Sequence, residues 1–166
     1  MKNKGYIEYT YKHRKVVMLL AQKYFKNSKE LLEQVELHDL DKLYMYLFFD
    51  KAIVSKLHRE QNRHHVSNDL EKTYLDYVEM VLDWESARYT KTDKPLNAYD
   101  TLYAYYPEMV EFILPILQEM GIAQTNTPME EDILKLTSEI SEPTNTDIER
   151  ELRKGIGVLL KLNNKK

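Results

Sequence analysis

Apolar residues recur along this chain at the spacing of a helix, not of a strand. Val17, Leu20 and Tyr24 mark one stripe of a helix over residues 9–25, and His13, four positions before Val17, lies on the same stripe. Asn27 and Glu30 have capping-box spacing and predict a short second helix through Leu31, Leu32 and Val35. Leu43, Leu47 and Val54 predict a third, running from about Leu40 to His58 or beyond. Asn68 and Glu71 repeat the box ahead of a helix through Tyr74, Val78, Val81 and Trp84. Polar residues 90–96, with Pro95, read as a loop. Two helices over 99–106 and 108–120 follow, separated by Pro107, the second kinked by Pro115 and closed by Gly121. Thr127-Pro128-Met129-Glu130 starts another helix, and Thr146 with Glu149 starts the last, which ends near Leu162. No strand pattern or internal repeat is visible. The pattern predicts an all-α bundle of seven or eight helices.

Composition narrows the chemistry. Four glycines and five prolines in 166 residues suit long helices, and the glycine spacing holds neither a dinucleotide fingerprint nor a P-loop. With no cysteine, any metal must be held by histidine, carboxylate and water. A net charge of −3 argues against a broad basic surface for duplex nucleic acid, though not against a local phosphate pocket. The longest apolar runs, 43–49 and 16–21, are too short for a membrane span. The Lys- and Tyr-rich start of the chain lacks the apolar core of a secretory signal. The expectation is a cytoplasmic protein without a membrane partner.

Residues 125–166 are polar, with eight acidic and seven basic residues, and lack His, Trp, Tyr and Phe. The reading is therefore a chemistry-bearing helical domain over 1–124 and a helical appendage over 125–166. Its apolar faces, through Ile133, Leu134, Leu136 and Ile140 and then Ile148, Leu152, Ile156 and Leu159, need covering. The same domain or a neighbouring subunit of a homo-oligomer would do it.

All five histidines, His13, His38, His58, His64 and His65, fall in the 53 residues from 13 to 65. His38 is followed directly by Asp39, and adjacent side chains at a helix start can reach one ion without obeying helical spacing. In an unbroken third helix His65 shares the face of His58 and His64 points elsewhere. With a bend near Arg63, both turn inward. Asp76, Glu79 and Asp83 form a carboxylate stripe at i, i+3 and i+7. Imidazoles facing carboxylates make a site for a divalent ion, and ligand type alone does not choose among Mn, Fe, Co, Zn and Mg.

The ordered set His13, His38-Asp39, Asp83 resembles the HD-domain superfamily of metal-dependent phosphohydrolases. The further His58 and His64-His65 resemble its dinuclear branches. More closely, His38-Asp39-x-x-Lys42, His58-x-x-x-Asn62-x-His64-His65 and Glu79-Met80-x-x-Asp83-Trp84 resemble a small HD-like bacterial and phage family over roughly residues 9–120. The resemblance implies an HD-like helical bundle in which His13, His38, Asp39 and Asp83 hold a first ion. Asp39 bridges to a second ion on His58 and on His64 or His65, and Lys42 approaches the substrate phosphate. Two departures stand out. Asp41 occupies the place of a glycine found before that lysine in many HD enzymes, and no GYP motif follows, so cyclic-dinucleotide specificity is not implied.

The function expected from this set is hydrolysis of a nucleotide or another small phosphoester by a metal-bound hydroxide, with one or two divalent ions. Asp39, Lys42 and Glu79 are the catalytic candidates, Glu79 as base or orienting group. Lys42, Arg63 and Arg88 are the substrate-binding candidates. Two rivals share the ligand set: an HD-type di-iron oxygenase of a small molecule, and a non-catalytic metal-containing interaction module. The thirteen tyrosines read as core and interface residues more readily than as a base-stacking channel.

Overall fold

The computed structural model describes residues 2–164. Its long first helix, α1 (Lys4–Phe25), runs through two apolar clusters and joins them. The C-terminal half of α1 buries Val16, Val17, Leu20 and Ala21 against α2 (Lys29–Glu36) and α5 (Tyr74–Thr90). The same cluster takes in α6 (Ala98–Tyr105), α7 (Val110–Glu119) and α8 (Glu131–Ser138). The N-terminal half of α1 places Ile7 and Tyr11 with Leu40 and Leu43 of α3 (Leu40–Met45), Val54 of α4 (Lys51–Gln61) and Ile148 of α9 (Asn145–Asn163). His13 and Arg14 lie at the seam, between Tyr11 of one cluster and Val16 of the other. Among the described residues the fold is all-α. Eight helices have eight residues or more, α3 has six, a 3₁₀ turn (Pro107–Met109) precedes α7, and there is no strand.

Several helix boundaries differ from the sequence reading. The helix predicted from Leu40 through His58 is two helices, because the chain turns after Met45. Asn3 stabilises that turn from a distance, donating from Nδ2 to the carbonyls of Tyr46 (2.9 Å) and Phe49 (2.8 Å). Leu47, predicted on the buried stripe, is exposed in the turn. Ser28, not Asn27, caps α2. Thr73 and Asp76, not Asn68 and Glu71, form the capping box of α5. Asn68 instead ties the preceding loop, donating to the carbonyls of Arg59 and Asn62. Thr144 and Asp147, not Thr146 and Glu149, bond reciprocally at the start of α9. Residues 127–130 precede α8 instead of opening it, since Asn97 binds the Thr127 hydroxyl and the Tyr89 hydroxyl accepts from the Glu130 amide. Gly121 closes α7 at φ 72°, where a side chain would be strained.

Helix α8 lies on α1 and α5, and α9 on α3 and α2. Ile133 and Ile148 are thus buried on the same chain, while Leu134, Leu136, Ile156 and Leu159 stay exposed. No described helix is long and apolar enough to cross a membrane.

Candidate metal centre

Five elements bring the imidazoles and carboxylates together. His13 comes from α1, and Glu79 and Asp83 come from one face of α5. His38 and Asp39 occupy the corner between α2 and α3, where Asp39, in a left-handed conformation (φ 55°), immediately precedes α3 and its buried carboxylate faces the histidines. His58 is on the inner face of α4. Helix α4 ends at Gln61, and Asn62 turns the chain so that both His64 and His65 point back into the bundle. The Asn62 amide secures this turn by donating to Asp41 Oδ2 (2.9 Å) and to the His58 carbonyl (2.8 Å).

Four of the five histidines are oriented the same way. Their Nδ1 atoms face an acceptor and their Nε2 atoms face the centre. His13 Nδ1 is 3.2 Å from the Ser86 hydroxyl, whose own proton goes to the Asp83 carbonyl. His38 Nδ1 and His64 Nδ1 share Glu79 Oε1, at 2.8 and 3.2 Å. His58 Nδ1 is 2.9 Å from Asp41. A hydrogen bond at Nδ1 fixes the tautomer that leaves a lone pair on Nε2, which is how ligand histidines are prepared for a metal.

These Nε2 atoms surround Asp39. Its Oδ2 faces His13 (3.6 Å) and Lys42 Nζ (3.0 Å), and its Oδ1 faces His58 (3.0 Å), His64 (3.4 Å) and His38 (3.6 Å). Asp83 Oδ1 closes the ring at 2.9 Å from His13 and 3.4 Å from His38. Potential ligand atoms group within 4.8 Å of one another as His13/His38/Asp39, His38/His64/Asp83 and His58/His64/His65. Asp39 Oδ1 and the Nε2 atoms of His58, His64 and His65 are buried without a well-formed hydrogen bond, although His58 and His64 lie at ion-pair distance from Oδ1. Each such atom costs about 1–3 kcal/mol if left so. His13 Nε2 and His38 Nε2, 3.2 Å apart, would oppose two lone pairs unless a proton or a cation lies between them. The donor set therefore fits a divalent cation, and its buried His and Asp groups could hold one.

Electrostatics agree with a site built for positive charge. Burial opposes protonation of His38, but the Asp39 charge, helped by hydrogen bonds to Asp83 and Glu79, raises it to about 9. Burial also opposes the charge on His64, which Asp39 and Glu79 nevertheless raise well above its ordinary value. His65 is driven down to about 3 by burial and by neighbouring His64. Burial works against ionised Glu79, yet hydrogen bonds from His38 and His64 lower it to about 2.

A cavity of about 400 Å³ opens over the Oδ2 side of Asp39, lined by His13, Asp39, Asp83 and Lys42 at its floor. Its walls carry Tyr9, Lys91, Lys94 and Trp84, which stacks on Tyr106 (4.9 Å, 9° between planes). Tyr9 also stacks on His13 at 5.8 Å.

Sequence reasoning placed some residues differently. Arg88 is five residues beyond Asp83 and so on another face of α5, where it pairs with buried Glu85 at 3.5 Å. Arg63 is exposed, and neither arginine lines the cavity. Lys91 and Lys94 supply its additional cations. Glu79 lies behind His38 and His64, so it orients them and does not face the cavity as a base. Asp76, on the same stripe, caps its own helix and accepts from Gln34. Ser86 and Asp41 also face the Nδ1 atoms of His13 and His58, roles that helical spacing alone does not reveal. Asp41 stands where the HD pattern departs from glycine, and that departure was the available signal.

No family model, curated protein or solved structure matches the chain.

Proposed function

We propose that this chain is a divalent-metal-dependent phosphohydrolase of the HD type, acting on a nucleotide or another small phosphoester. One observation carries the reading: buried Nε2 and Oδ1 atoms without well-formed hydrogen bonds converge beneath a cavity whose rim carries Lys91, Lys94 and Asp93 with Tyr9, Trp84 and Tyr106. His13, His38, Asp39 and Asp83 would hold one ion, and His58, His64 and His65, with Asp39 between the sets, a second. Bound ions of this kind polarise a phosphoryl group and lower the pKa of water.

The chain's own residues supply the rest. Lys42, 3.0 Å from Asp39 Oδ2, reaches the cavity and neutralises charge on a non-bridging phosphate oxygen. Lys91 and Lys94 draw the anion in, while Tyr9 and the Trp84–Tyr106 stack give an organic leaving group an apolar wall that excludes water. Glu79, Asp41 and Ser86 hold the imidazoles in the ligating tautomer.

The test is metal analysis of protein purified without added metal, followed by a phosphoester panel assayed with single metals. Stoichiometric metal and phosphate release are expected. Lys42→Met should keep the metal and lower turnover about 10²-fold, and an unchanged rate would remove Lys42 from the chemistry. Bound iron with substrate-dependent oxygen uptake and no phosphate release would select the oxygenase. Bound metal without any turnover would select the non-catalytic module.

A further inference from the structure

Beside the metal cavity lies a second one of about 640 Å³, and the two share Tyr9, Lys42 and Lys91 as a common wall. Its charge is one-sided. Lys4, Lys42, Lys51, Arg59 and Lys91 are among its twelve lining residues, which include no carboxylate. In a chain with more acidic than basic residues, 27 against 24, composition does not explain such a lining. Lys4 has Glu8 at 3.5 Å and Lys42 has Asp39, but Lys51, Arg59 and Lys91 make no ion pair with a described carboxylate. Lys51 and Lys91 lie over the rings of Tyr6 (5.1 Å) and Tyr9 (4.8 Å) instead.

The cavity is constructed by tertiary contacts. Asn3 ties the start of α1 to the turn between α3 and α4, Tyr6 stacks on Tyr46 at 5.4 Å, and α4 presents Lys51, Ser55 and Arg59 from one side. Lys51, Arg59 and Lys91 are like charges gathered without counter-charges, which is costly unless an anion joins them, and here they adjoin the place proposed for a phosphoryl group. We infer that this second cavity binds another phosphate of the same small substrate, so that the substrate carries at least two phosphates. One lies over Asp39 and Lys42, and the other among Lys51, Arg59 and Lys91. The inference rests on the phosphohydrolase reading for its first phosphate, while the second site stands on its own lining.

Inorganic tripolyphosphate and orthophosphate are the probes, with affinity measured by calorimetry on the full chain. Lys51 and Arg59 are both exposed on α4 and neither is a candidate ligand, Arg59 lying outward while its neighbour His58 is buried, so Lys51→Ala/Arg59→Ala should keep helical content and metal binding. The double variant should bind tripolyphosphate roughly tenfold more weakly and orthophosphate about as before, as expected for losing two charge-assisted contacts. Lys26→Ala/Lys29→Ala, which removes equal charge at the distant α1–α2 corner, should change neither. Equal loss in both double variants would reduce the effect to net charge and overturn the site. Unchanged tripolyphosphate affinity in Lys51→Ala/Arg59→Ala would overturn it directly. A short single-stranded oligonucleotide that binds through Lys51 and Arg59 when tripolyphosphate does not would also overturn the small-substrate assignment. If the chain hydrolyses no phosphoester yet loses tripolyphosphate binding in this variant, the hydrolase reading fails and the anion site survives.

Discussion

The two oxygens of Asp39 look into two unlike halves of one centre. On the Oδ2 side His13, Asp83 and Lys42 already engage one another or Asp39, at 2.9 Å for His13–Asp83 and 3.0 Å for Lys42–Asp39, while His38 stands between the halves, 3.6 Å from Oδ1 and 3.4 Å from Asp83. Protons alone can complete that half, and it opens to the cavity. On the Oδ1 side three imidazoles present Nε2 atoms without a well-formed hydrogen bond, and His58 and His64 are 1% and 3% exposed. That half is shut off from bulk solvent, so its unmet acceptors make the stronger demand for a buried partner such as a cation. If the centre holds the proposed ions, the contrast predicts the tighter one in the inner half and the one nearer the cavity in the outer half.

Removing the group common to both halves should have the most severe effect. Asp39→Asn keeps a residue that tolerates φ 55° but takes away the charge and one ligand oxygen. Metal affinity should fall about 100-fold or more in both halves with helical content retained. Elemental analysis after dialysis decides it, and full retention of metal would dismiss Asp39 as the shared ligand.

Protons offer a graded test. An ion requires neutral imidazole, whereas Asp39 holds His38 protonated up to about pH 9 against the effect of burial. Below that pH each ion must displace protons, so its affinity should rise with pH by up to about tenfold per unit for each proton released. It should level off near 9. Calorimetry in buffers of different ionisation enthalpy counts the protons, and a flat affinity through this range would exclude His38 as a ligand.

The halves can also be addressed separately through their orienting groups. Ser86→Ala removes the acceptor of His13 Nδ1 and should weaken the outer ion about tenfold, whereas Asp41→Asn acts on His58 and should weaken the inner one similarly. Metal titrations of the two variants should differ in which equivalent is lost. Identical titration curves would mean the halves behave as one site.

How much of this was legible follows from the range of the forces involved. The all-α class could be read because apolar periodicity is local, and the His and Asp groups that converge could be picked out as metal candidates because few other groups can hold a metal in a chain without cysteine. The break between α3 and α4 could not, since Asn3 stabilises it from more than forty residues away. Capping boxes were ambiguous for a related reason. Asn68/Glu71 and Thr73/Asp76 both have the spacing, and the contact of Asp76 with Gln34 of α2 belongs to the tertiary structure. The bend near Arg63 was left open by the sequence. It occurs at Asn62, held by Asp41. Arg88 misled because nearness in sequence to Asp83 is not nearness around a helix.

The smallest expected effect concerns the seating of α9, which buttresses the corner carrying Asp39. A Cβ at Gly155 would overlap the side chain of Leu40, the residue after Asp39, whereas one at Gly157 would meet open space. Gly155→Ala should therefore lower stability by about 1–3 kcal/mol, partly relieved by rotation of Leu40. Gly157→Ala should raise it by up to about 1 kcal/mol through helix propensity. For a chain of this length each kcal/mol moves Tm by roughly 2–4 °C, so the two shifts are resolvable and opposite in sign. Metal affinity should move less than about threefold in either variant, because Leu40 yields at the end of its side chain while the backbone of Asp39 stays fixed by the turn. If both substitutions raised Tm, α9 would not be packed against α3, and the support for the Asp39 corner would have to come from α2 and α4 alone.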